Sequence, residues 1–390
     1  MSGKTANYIP GLEGVVAAQT RLSRVDGQKG ELIIGGYPLE TLAPNASFEE
    51  MIYLLWNSAL PTALQLESLQ NKLATKRELP FATLDLLRNV AKTRAPVMDA
   101  LRMAASTLSL SSEVAANGDD IDADAIALVA AFPSIVAAYW RLLNGQPPVM
   151  PSTDLSHAAN YLYMLTGETP GEAKARGLEI YLNTVVDHGL NASTFTARVI
   201  ASTASDLVSA VTGAIGALKG PLHGGAPGPA LDMVFEIGQP DKAEPYMRKL
   251  LNNGERLMGF GHRVYKVRDP RAEVLSQAAQ AMYAADGDMQ LFELVKHVEK
   301  VAVELLDEYK PGRNLQTNVE FYTALLLHGL GLHAELFSPT FAISRVVGWL
   351  AHCFEQQQTE RILRPRAEYI GETEKKWVAI GDRSGKFSYV

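Results

Sequence analysis

Nearly every long apolar stretch beyond residue 43 repeats with the spacing of a helix, and this pattern limits the possible folds more than any other feature. The stretch that starts at Ser47 carries Glu50 three residues later, a capping-box pattern that predicts a helix start. Patterns typical of strands are confined to residues 23–43, which predict short strands and a tight turn. We therefore predict a mainly α-helical protein with a small N-terminal β element.

Two of the apolar stretches are long. Residues 334–362 predict one helix after Pro339. The most apolar stretch, residues 125–140, is interrupted by Pro133 and is shorter than the roughly 20 residues of a membrane span, so we interpret it as a buried core helix or helix pair. The N-terminus lacks the apolar core and cleavage site of a secretory signal. We expect a cytoplasmic protein with no membrane role.

Composition excludes some classes of protein. The chain has 390 residues, long enough for two to three domains, and its 43 acidic against 36 basic residues give a net charge of −7. A general nucleic-acid binder is usually basic, so this class is not favoured. With Cys353 as the single cysteine, an intrachain disulfide is impossible, and there is no Cys/His cluster typical of structural zinc.

Two histidines stand in suggestive contexts. His188 follows Asp187, although a lone histidine in a helical region is often structural. His223 precedes Gly224-Gly225 and a predicted helix start near residues 227–229. The amides and dipole of a helix start favour a neutral histidine, which can donate a hydrogen bond to a developing oxyanion. A simple tight turn is the alternative for His223.

A third histidine, His262, lies directly behind a Gly-Phe-Gly turn at residues 259–261 and before a run of charged residues. The turn allows close approach of the backbone to another group. Arg271 follows Asp269-Pro270, so it would lie in the first turn of a helix, the unfavourable end for a cation. That position is reasonable if Arg271 meets an anionic ligand or a buried carboxylate. A solvated basic surface is the alternative for its neighbours Arg263, Lys266 and Arg268.

A carboxylate and a further cation interrupt apolar helices near the C-terminus. Glu320 stands between apolar neighbours, and burial there would raise its pKa and strengthen it as a base, although an exposed glutamate favoured by the helix dipole is the alternative. Arg345 interrupts an apolar run and needs a carboxylate from protein or ligand. Further arginines follow at positions 361, 364 and 366.

These residue types fit one kind of chemistry. A carboxylate alone is too weak to remove a proton next to a carbonyl, so the reaction needs a neutral hydrogen-bond donor on the carbonyl oxygen. A second histidine can polarise another carbonyl that accepts the new carbon–carbon bond. If that partner is a dicarboxylate, arginines are the natural groups to hold it, because guanidinium matches carboxylate geometry.

The ordered blocks that carry these residues resemble citrate synthases over nearly the whole chain. They are "DHGLNASTFTAR", "GPLHGGA", "GFGHRVYKVRDPR", "NVEFY" and "FAISRVVGWLAH" with "RPRAEYIG". The segments "GLEGV" and "VDGQKGELIIGGY" resemble the opening of the shorter bacterial and archaeal members. The resemblance implies an acyltransferase of the tricarboxylic acid cycle that condenses acetyl-CoA with oxaloacetate and water, without a metal or redox cofactor.

The resemblance also implies an architecture. The expected protein is a mostly helical homodimer, with a large domain of residues 1–222 and 326–390 and a small domain of residues 223–325. Closure of the small domain would exclude water from the site. Neither nucleic acid nor membrane is an implied partner.

Roles for individual residues follow from the same resemblance. Glu320 would remove the methyl proton of acetyl-CoA, His223 would stabilise the enol oxygen, and His262 would polarise the ketone of oxaloacetate. The residues implied to hold oxaloacetate are His188, His262, Arg271, Arg345 and, across the dimer interface, Arg364. The residues implied to contact coenzyme A are Gly259, Phe260, Gly261, Lys266 and Arg313.

The chain departs from the family pattern at three places, and two alternatives stay open. Glu320 replaces the usual aspartate and is one methylene longer, whereas base placement is sensitive to shifts of about 1 Å. "APGP" follows the His223 block in place of "ANE", and Gly189 replaces a frequent glutamate. The alternatives are a 2-methylcitrate synthase that uses propionyl-CoA, and a catalytically weak homologue with an assembly or regulatory role.

Overall fold

The fold is mainly helical, as predicted. The computed structural model of the chain describes residues 8–110, 121–223, 228–262, 264–286 and 288–383. The chain forms two compact units, one of Ala18–Ile362 and one of Met1–Ala17 with Leu363–Val390. In its described part the smaller unit contains two short 3₁₀ helices, Pro10–Leu12 and Ile380–Asp382, and exposes apolar side chains such as Trp377.

The larger unit is built from α-helices around one apolar core. The helices of its first half are α1 (Leu39–Leu42), α2 (Phe48–Asn57), α3 (Ala63–Thr75), α4 (Phe81–Lys92), α5 (Val97–Ser106), α6 (Ile121–Leu143), α7 (His157–Thr166) and α8 (Glu172–Val185). The helices of its second half are α9 (Ala192–Ala201), α10 (Leu207–Leu218), α11 (Gly228–Ile237), α12 (Pro240–Asn252), α13 (Pro270–Asp286), α14 (Gln290–Tyr309), α15 (Val319–Gly329) and α16 (Phe337–Gln358). Two further 3₁₀ helices are Thr107–Leu110 and Ala334–Leu336.

The predicted N-terminal β element is a small antiparallel sheet. Its strands are β1 (Ser23–Asp26), β2 (Glu31–Ile34) and β3 (Tyr37–Pro38), in the order β1-β2-β3. The β1–β2 hairpin pairs Val25 with Leu32, and residues 27–30 form its turn. The side chains of Leu32 and Ile34 are fully buried, so the sheet is anchored on the helical core.

Local signals set several helix ends. Ser47 and Glu50 form the predicted capping box at the start of α2. α16 begins at Phe337, so the prediction of a helix that starts after Pro339 is wrong by three residues. Proline is tolerated in the first turn of a helix, where its missing N–H has no intrahelical partner to lose. α16 then runs through the core and packs against α6, α8, α9 and α10.

The apolar stretch 125–140 lies within the single helix α6, with Pro133 inside it. Among the described helices, Ala123–Leu143 is long and apolar enough to cross a membrane, with a mean hydropathy of 1.8 and 72% of that window buried inside the protein. The core helix of a soluble protein passes the same test. Side chains such as Val129, Phe132 and Val136 are inaccessible to solvent, which confirms the interpretation of α6 as a core helix.

Candidate active site

One cavity of about 200 Å³ in the larger unit collects residues from all five of the quoted sequence blocks. The predicted site residues that line it are His188, His223, His262, Arg271, Glu320 and Arg345. They come from the turn after α8, the segments before α11 and α13, and the helices α13, α15 and α16. Apolar side chains complete the lining, among them Val185, Leu218, Val319, Phe337 and Phe341.

Backbone hydrogen bonds hold the Gly-Phe-Gly turn against the segment before Glu320. The Gly261 N–H donates to the Gln316 carbonyl at 2.7 Å, and the Asn318 N–H donates to the Gly259 carbonyl at 3.0 Å. Gly259 has a φ of 86°, and a Cβ there would lie 2.8 Å from the Phe321 ring. The close approach that these glycines permit is therefore an approach to the start of α15.

His262 presents a proton to the cavity. Its Nδ1 accepts hydrogen bonds from the N–H groups of Val264 at 3.0 Å and Tyr265 at 3.1 Å, so the proton of the neutral ring is on Nε2. Burial, reinforced by the Arg271 guanidinium, lowers the pKa of His262 to about 4. The Nη2 of Arg271 lies 3.4 Å from Nε2. Since both atoms carry hydrogen, they form two adjacent donors at the cavity.

His188 contacts the same segment from the opposite side. Its Nε2 lies 3.1 Å from the hydroxyl of Tyr265, and its ring is 6.1 Å from the ring of His262. Burial and the two cations Arg271 and Arg345 hold the pKa of His188 well below its usual value. His188 is therefore neutral and available for hydrogen bonding near physiological pH.

His223 is oriented by Ser193, at the start of α9. Its Nε2 lies 2.8 Å from Ser193 Oγ and accepts from the Ser193 N–H at 3.3 Å, so the ring proton is on Nδ1. The Ser193 hydroxyl is itself fixed by Trp349, whose Nε1–H donates to it at 3.0 Å. Burial and the charge of Arg345 lower the pKa of His223. Residues 224–227, which carry the predicted glycine pair and half of the "APGP" departure, lie outside the described part of the chain.

Arg345 is a buried cation that forms no ion pair with any carboxylate of the described residues. Only 2% of the residue is exposed, its Nε donates to the Val185 carbonyl at 2.7 Å, and the guanidinium lies 4.4 Å from the centre of the Phe341 ring. Among the described residues, no carboxylate oxygen lies within 4.0 Å of it. Burial lowers its pKa to about 10, even though the charge of nearby Asp187 opposes that shift. The site therefore favours an anionic ligand.

Arg271 is compensated differently. It is in the first turn of α13, as predicted, and its guanidinium donates to both carboxylate oxygens of Asp269 at 3.0 and 2.8 Å. Burial alone would lower the pKa of Arg271. The charge of fully buried Asp269 outweighs the effect of burial, so the pKa of Arg271 is raised. Of these two arginines, Arg271 is thus paired with a carboxylate of the protein, whereas Arg345 favours a negatively charged ligand.

Glu320 is at the second position of α15, where Asn318 caps the helix by accepting from the Glu320 N–H at 3.0 Å. Its carboxylate faces the cavity and is partly buried, in contrast to the exposed alternative. Burial raises its pKa, and Arg271 offsets part of that rise. A carboxylate with a raised pKa is a stronger base than an exposed glutamate, which suits proton removal from carbon.

A second cavity of about 450 Å³ adjoins the first, and His262 lines both. Phe260, Gly261 and Arg313 line it, whereas Lys266 is exposed and lines neither cavity. The second cavity also contains two cations that the sequence analysis missed, Arg256 and Lys310. Both stand close to glycine- and proline-rich breaks, and that position was a usable signal.

Arg364 lies in the smaller unit and its side chain is exposed. The sequence analysis also missed the residues that orient the site histidines, which are Ser193, Tyr265 and Trp349. Ser193 and Tyr265 belong to motif blocks that had been singled out, so their closeness to His188 and His262 in sequence was the available signal.

Comparisons with known proteins agree on one family. The family model for the citrate synthase C-terminal domain matches residues 11–366. A citrate synthase of Haloferax volcanii is 42% identical over 96% of this chain and 98% of its own length. A 2-methylcitrate synthase of Shewanella oneidensis is 37% identical over 96% of this chain and 97% of its own length.

Solved structures give the same result. The citrate synthase of Pyrobaculum aerophilum has a TM-score of 0.86 and 41% identity, covering 96% of this chain and 95% of that chain. A ternary complex of Thermoplasma acidophilum citrate synthase with carboxymethyl coenzyme A and oxaloacetate has a TM-score of 0.84 and 30% identity, covering 96% of this chain and 98% of that chain.

Proposed function

This chain belongs to the citrate synthase family and is an acyltransferase of the citrate synthase reaction, and from that premise we propose that it condenses acetyl-CoA with oxaloacetate and water to give citrate and coenzyme A. One observation carries the proposal. A single cavity combines three histidines of lowered pKa, a carboxylate of raised pKa, and a buried arginine that forms no ion pair with a carboxylate in the described part of the chain.

Oxaloacetate is the proposed anionic ligand of the cavity. Its carboxylates would be held by Arg345, Arg271 and His188, with Arg345 receiving the negative charge that the protein does not supply. The Nε2–H of His262 would donate to its ketone oxygen and so make the ketone carbon a better acceptor. Adjacent donors on Arg271 and His262 suit a 2-oxo acid, whose carboxylate and ketone oxygens are neighbours.

Enolisation of acetyl-CoA would use Glu320 and His223. Glu320 takes a methyl proton while the Nδ1–H of His223 donates to the thioester oxygen, so that charge does not build up unaided. The resulting enol carbon attacks the ketone carbon of oxaloacetate, and the new alkoxide, to which the Nε2–H of His262 donates, takes up a proton from water as Glu320 returns its proton to water. Water then cleaves the citryl thioester and releases citrate and coenzyme A.

Coenzyme A would occupy the second cavity. Arg256, Lys310 and Arg313 supply cations for its phosphates, and Phe260 and Gly261 line the path that leads to His262. Gly259 supports this wall through its contact with α15. Lys266 is exposed beside the same segment, and its contact with coenzyme A stays a prediction.

The architecture implied by the family is part of the proposal. Residues 223–325 would form a small domain that closes on a large domain of residues 1–222 and 326–390. The chain would act as a homodimer in which exposed Arg364 reaches the oxaloacetate of the partner subunit.

The test is a parallel assay with two acyl-CoAs, because 2-methylcitrate synthases are also among the relatives. Oxaloacetate-dependent loss of thioester absorbance is followed with acetyl-CoA and with propionyl-CoA. A higher kcat/KM with acetyl-CoA is the expected result. A higher value with propionyl-CoA would assign a 2-methylcitrate synthase, and no turnover with either by folded protein would favour the catalytically weak homologue. One methylene is worth only about 1–3 kcal/mol, so both acyl chains must be measured.

A further inference from the structure

The N-terminal hairpin contacts the turn that carries His188. The Ser23 hydroxyl on β1 donates to Asp187 Oδ2 at 2.5 Å and accepts from the Gly189 N–H at 2.8 Å. Ser23 therefore holds both residues that flank His188. Asp187 is fully buried and is held on its other oxygen by His352, 3.2 Å away.

The turn of the same hairpin contacts the segment that follows His262. The Lys266 N–H donates to the Gly27 carbonyl at 2.8 Å. A Cβ on Gly27 would lie 2.2 Å from the Val264 carbonyl oxygen, so only glycine allows this approach. Gly30 adds a second close contact, since a Cβ there would lie 2.7 Å from Val267 Cγ2.

The two contacts lie at opposite ends of one strand. β1 spans four residues, from Ser23 to Asp26, and Gly27 follows it directly. Between them, His188 Nε2 meets the Tyr265 hydroxyl at 3.1 Å, and Tyr265 precedes the residue that donates to Gly27. The hairpin, which does not line the cavity, thus bridges the same two segments that the contact between His188 and Tyr265 joins.

We infer that the β1–β2 hairpin fixes the distance between the His188 turn and the His262 segment, with Ser23 and Gly27 as positioning residues for oxaloacetate. The inference rests on the proposed function, in which His188 and His262 both contact this substrate. Neither Ser23 nor Gly27 is among the residues that line the two cavities, so both act through backbone and side chains that they hold.

Loss of the hairpin bridge should affect the two substrates differently. Loss of the bridge widens or rotates the pocket for the oxaloacetate groups, and misplacement by about 1 Å is enough to weaken several contacts at once. The described lining of the coenzyme A cavity begins at Leu251 and contains no hairpin residue. The KM for oxaloacetate should therefore rise more than the KM for acyl-CoA, which the hairpin reaches only through the Lys266 segment.

The experiment uses the full chain with two test substitutions and matched controls. Ser23→Ala removes the bridging hydroxyl, and Ser23→Thr restores it. Gly27→Ala introduces the clashing Cβ, whereas Gly171→Ala makes the same change where no atom lies within 4 Å. Arg24→Ala removes an exposed side chain from the same strand. Both KM values and kcat are measured for each variant, with circular dichroism and thermal unfolding as checks of folding.

We expect Ser23→Ala to raise the KM for oxaloacetate by about 10-fold, which is the scale of one lost hydrogen bond to a charged group. Gly27→Ala should raise it by about as much through its clash. The KM of Ser23→Thr should stay close to wild type. If folded Ser23→Ala and Gly27→Ala match the Arg24→Ala and Gly171→Ala controls while wild type turns over, the inference is wrong and the proposed function stands. An equal rise in both KM values would assign a general structural role and also overturn it. No turnover by wild type would instead refute the proposed function.

Discussion

Glu320 is the proposed base of the reaction, and its role can be tested directly. Glu320→Gln keeps the shape of the side chain but removes the base, so we expect kcat to fall by about 100-fold or more. The binding of oxaloacetate, measured by calorimetry, should stay near wild type and serves as the control. Turnover that survives the substitution would show that Glu320 is not the base.

The pH profile of the wild-type enzyme is a second test of Glu320 as the base. The base must be ionised to accept a proton, and burial raises the pKa of Glu320 above its ordinary value of 4.5. Activity should therefore be lost as pH falls, with the midpoint of the acid limb of kcat/KM above 4.5. Glu320→Asp, which restores the usual family residue, should retain an acid limb, whereas Glu320→Gln should lack it.

At the scale of elements, one side chain at the start of α15 both caps the helix and contacts the Gly-Phe-Gly turn of the site. Asn318 Oδ1 caps the helix at the Glu320 N–H, and its Nδ2 donates to the Gly261 carbonyl at 3.0 Å. Asn318 thus connects the base to the residue before His262. Sequence patterns alone could not reveal this second contact, because it joins positions 57 residues apart.

Two substitutions of Asn318 separate its functions. Asn318→Ser keeps a capping oxygen but loses the contact with Gly261, whereas Asn318→Ala loses both. We expect Asn318→Ala to be less stable than Asn318→Ser by about 1 kcal/mol in denaturant unfolding, because it lacks the cap. Both variants should lose kcat by a similar factor, about 10-fold or more, because the base and His262 are no longer held together. Full activity in Asn318→Ser would contradict this account.

Local signals in the sequence predicted the secondary-structure elements well, but they did not predict the contacts between those elements. The capping box at Ser47 and the apolar periodicity of α6 depend on neighbours in sequence, and the structure contains both. The bridge from Ser23 to Gly189 joins residues 166 positions apart, and the bond from His188 to Tyr265 joins residues 77 apart. The motifs therefore indicated which residues to consider, and tertiary packing decided that they share one cavity and what orients them.

At the scale of the whole molecule, buried neutral histidines predict how stability depends on pH. His157, at the start of α7, is 1% exposed, and burial lowers its pKa from 6.5 to about 3. The pKa of His262 is lowered to about 4 by burial and Arg271. Between these values and 6.5 the unfolded chain binds more protons than the folded one, so the free energy of unfolding falls as pH falls through 6.5.

His157 isolates this effect, because nothing in the proposed reaction uses it. From a folded pKa of about 3 and an unfolded value of 6.5, lowering the pH from 7 to 5 should cost about 2 kcal/mol at this one residue. In His157→Asn the difference in unfolding free energy between pH 7 and pH 5 should shrink by about that amount.

Each variant is compared with itself at the two pH values and at one protein concentration, so any constant loss of packing or of association cancels. His297→Asn removes a histidine at an exposed position on α14 and is the matched control. An unchanged difference in His157→Asn would mean that His157 is not the group through which acid destabilises the core.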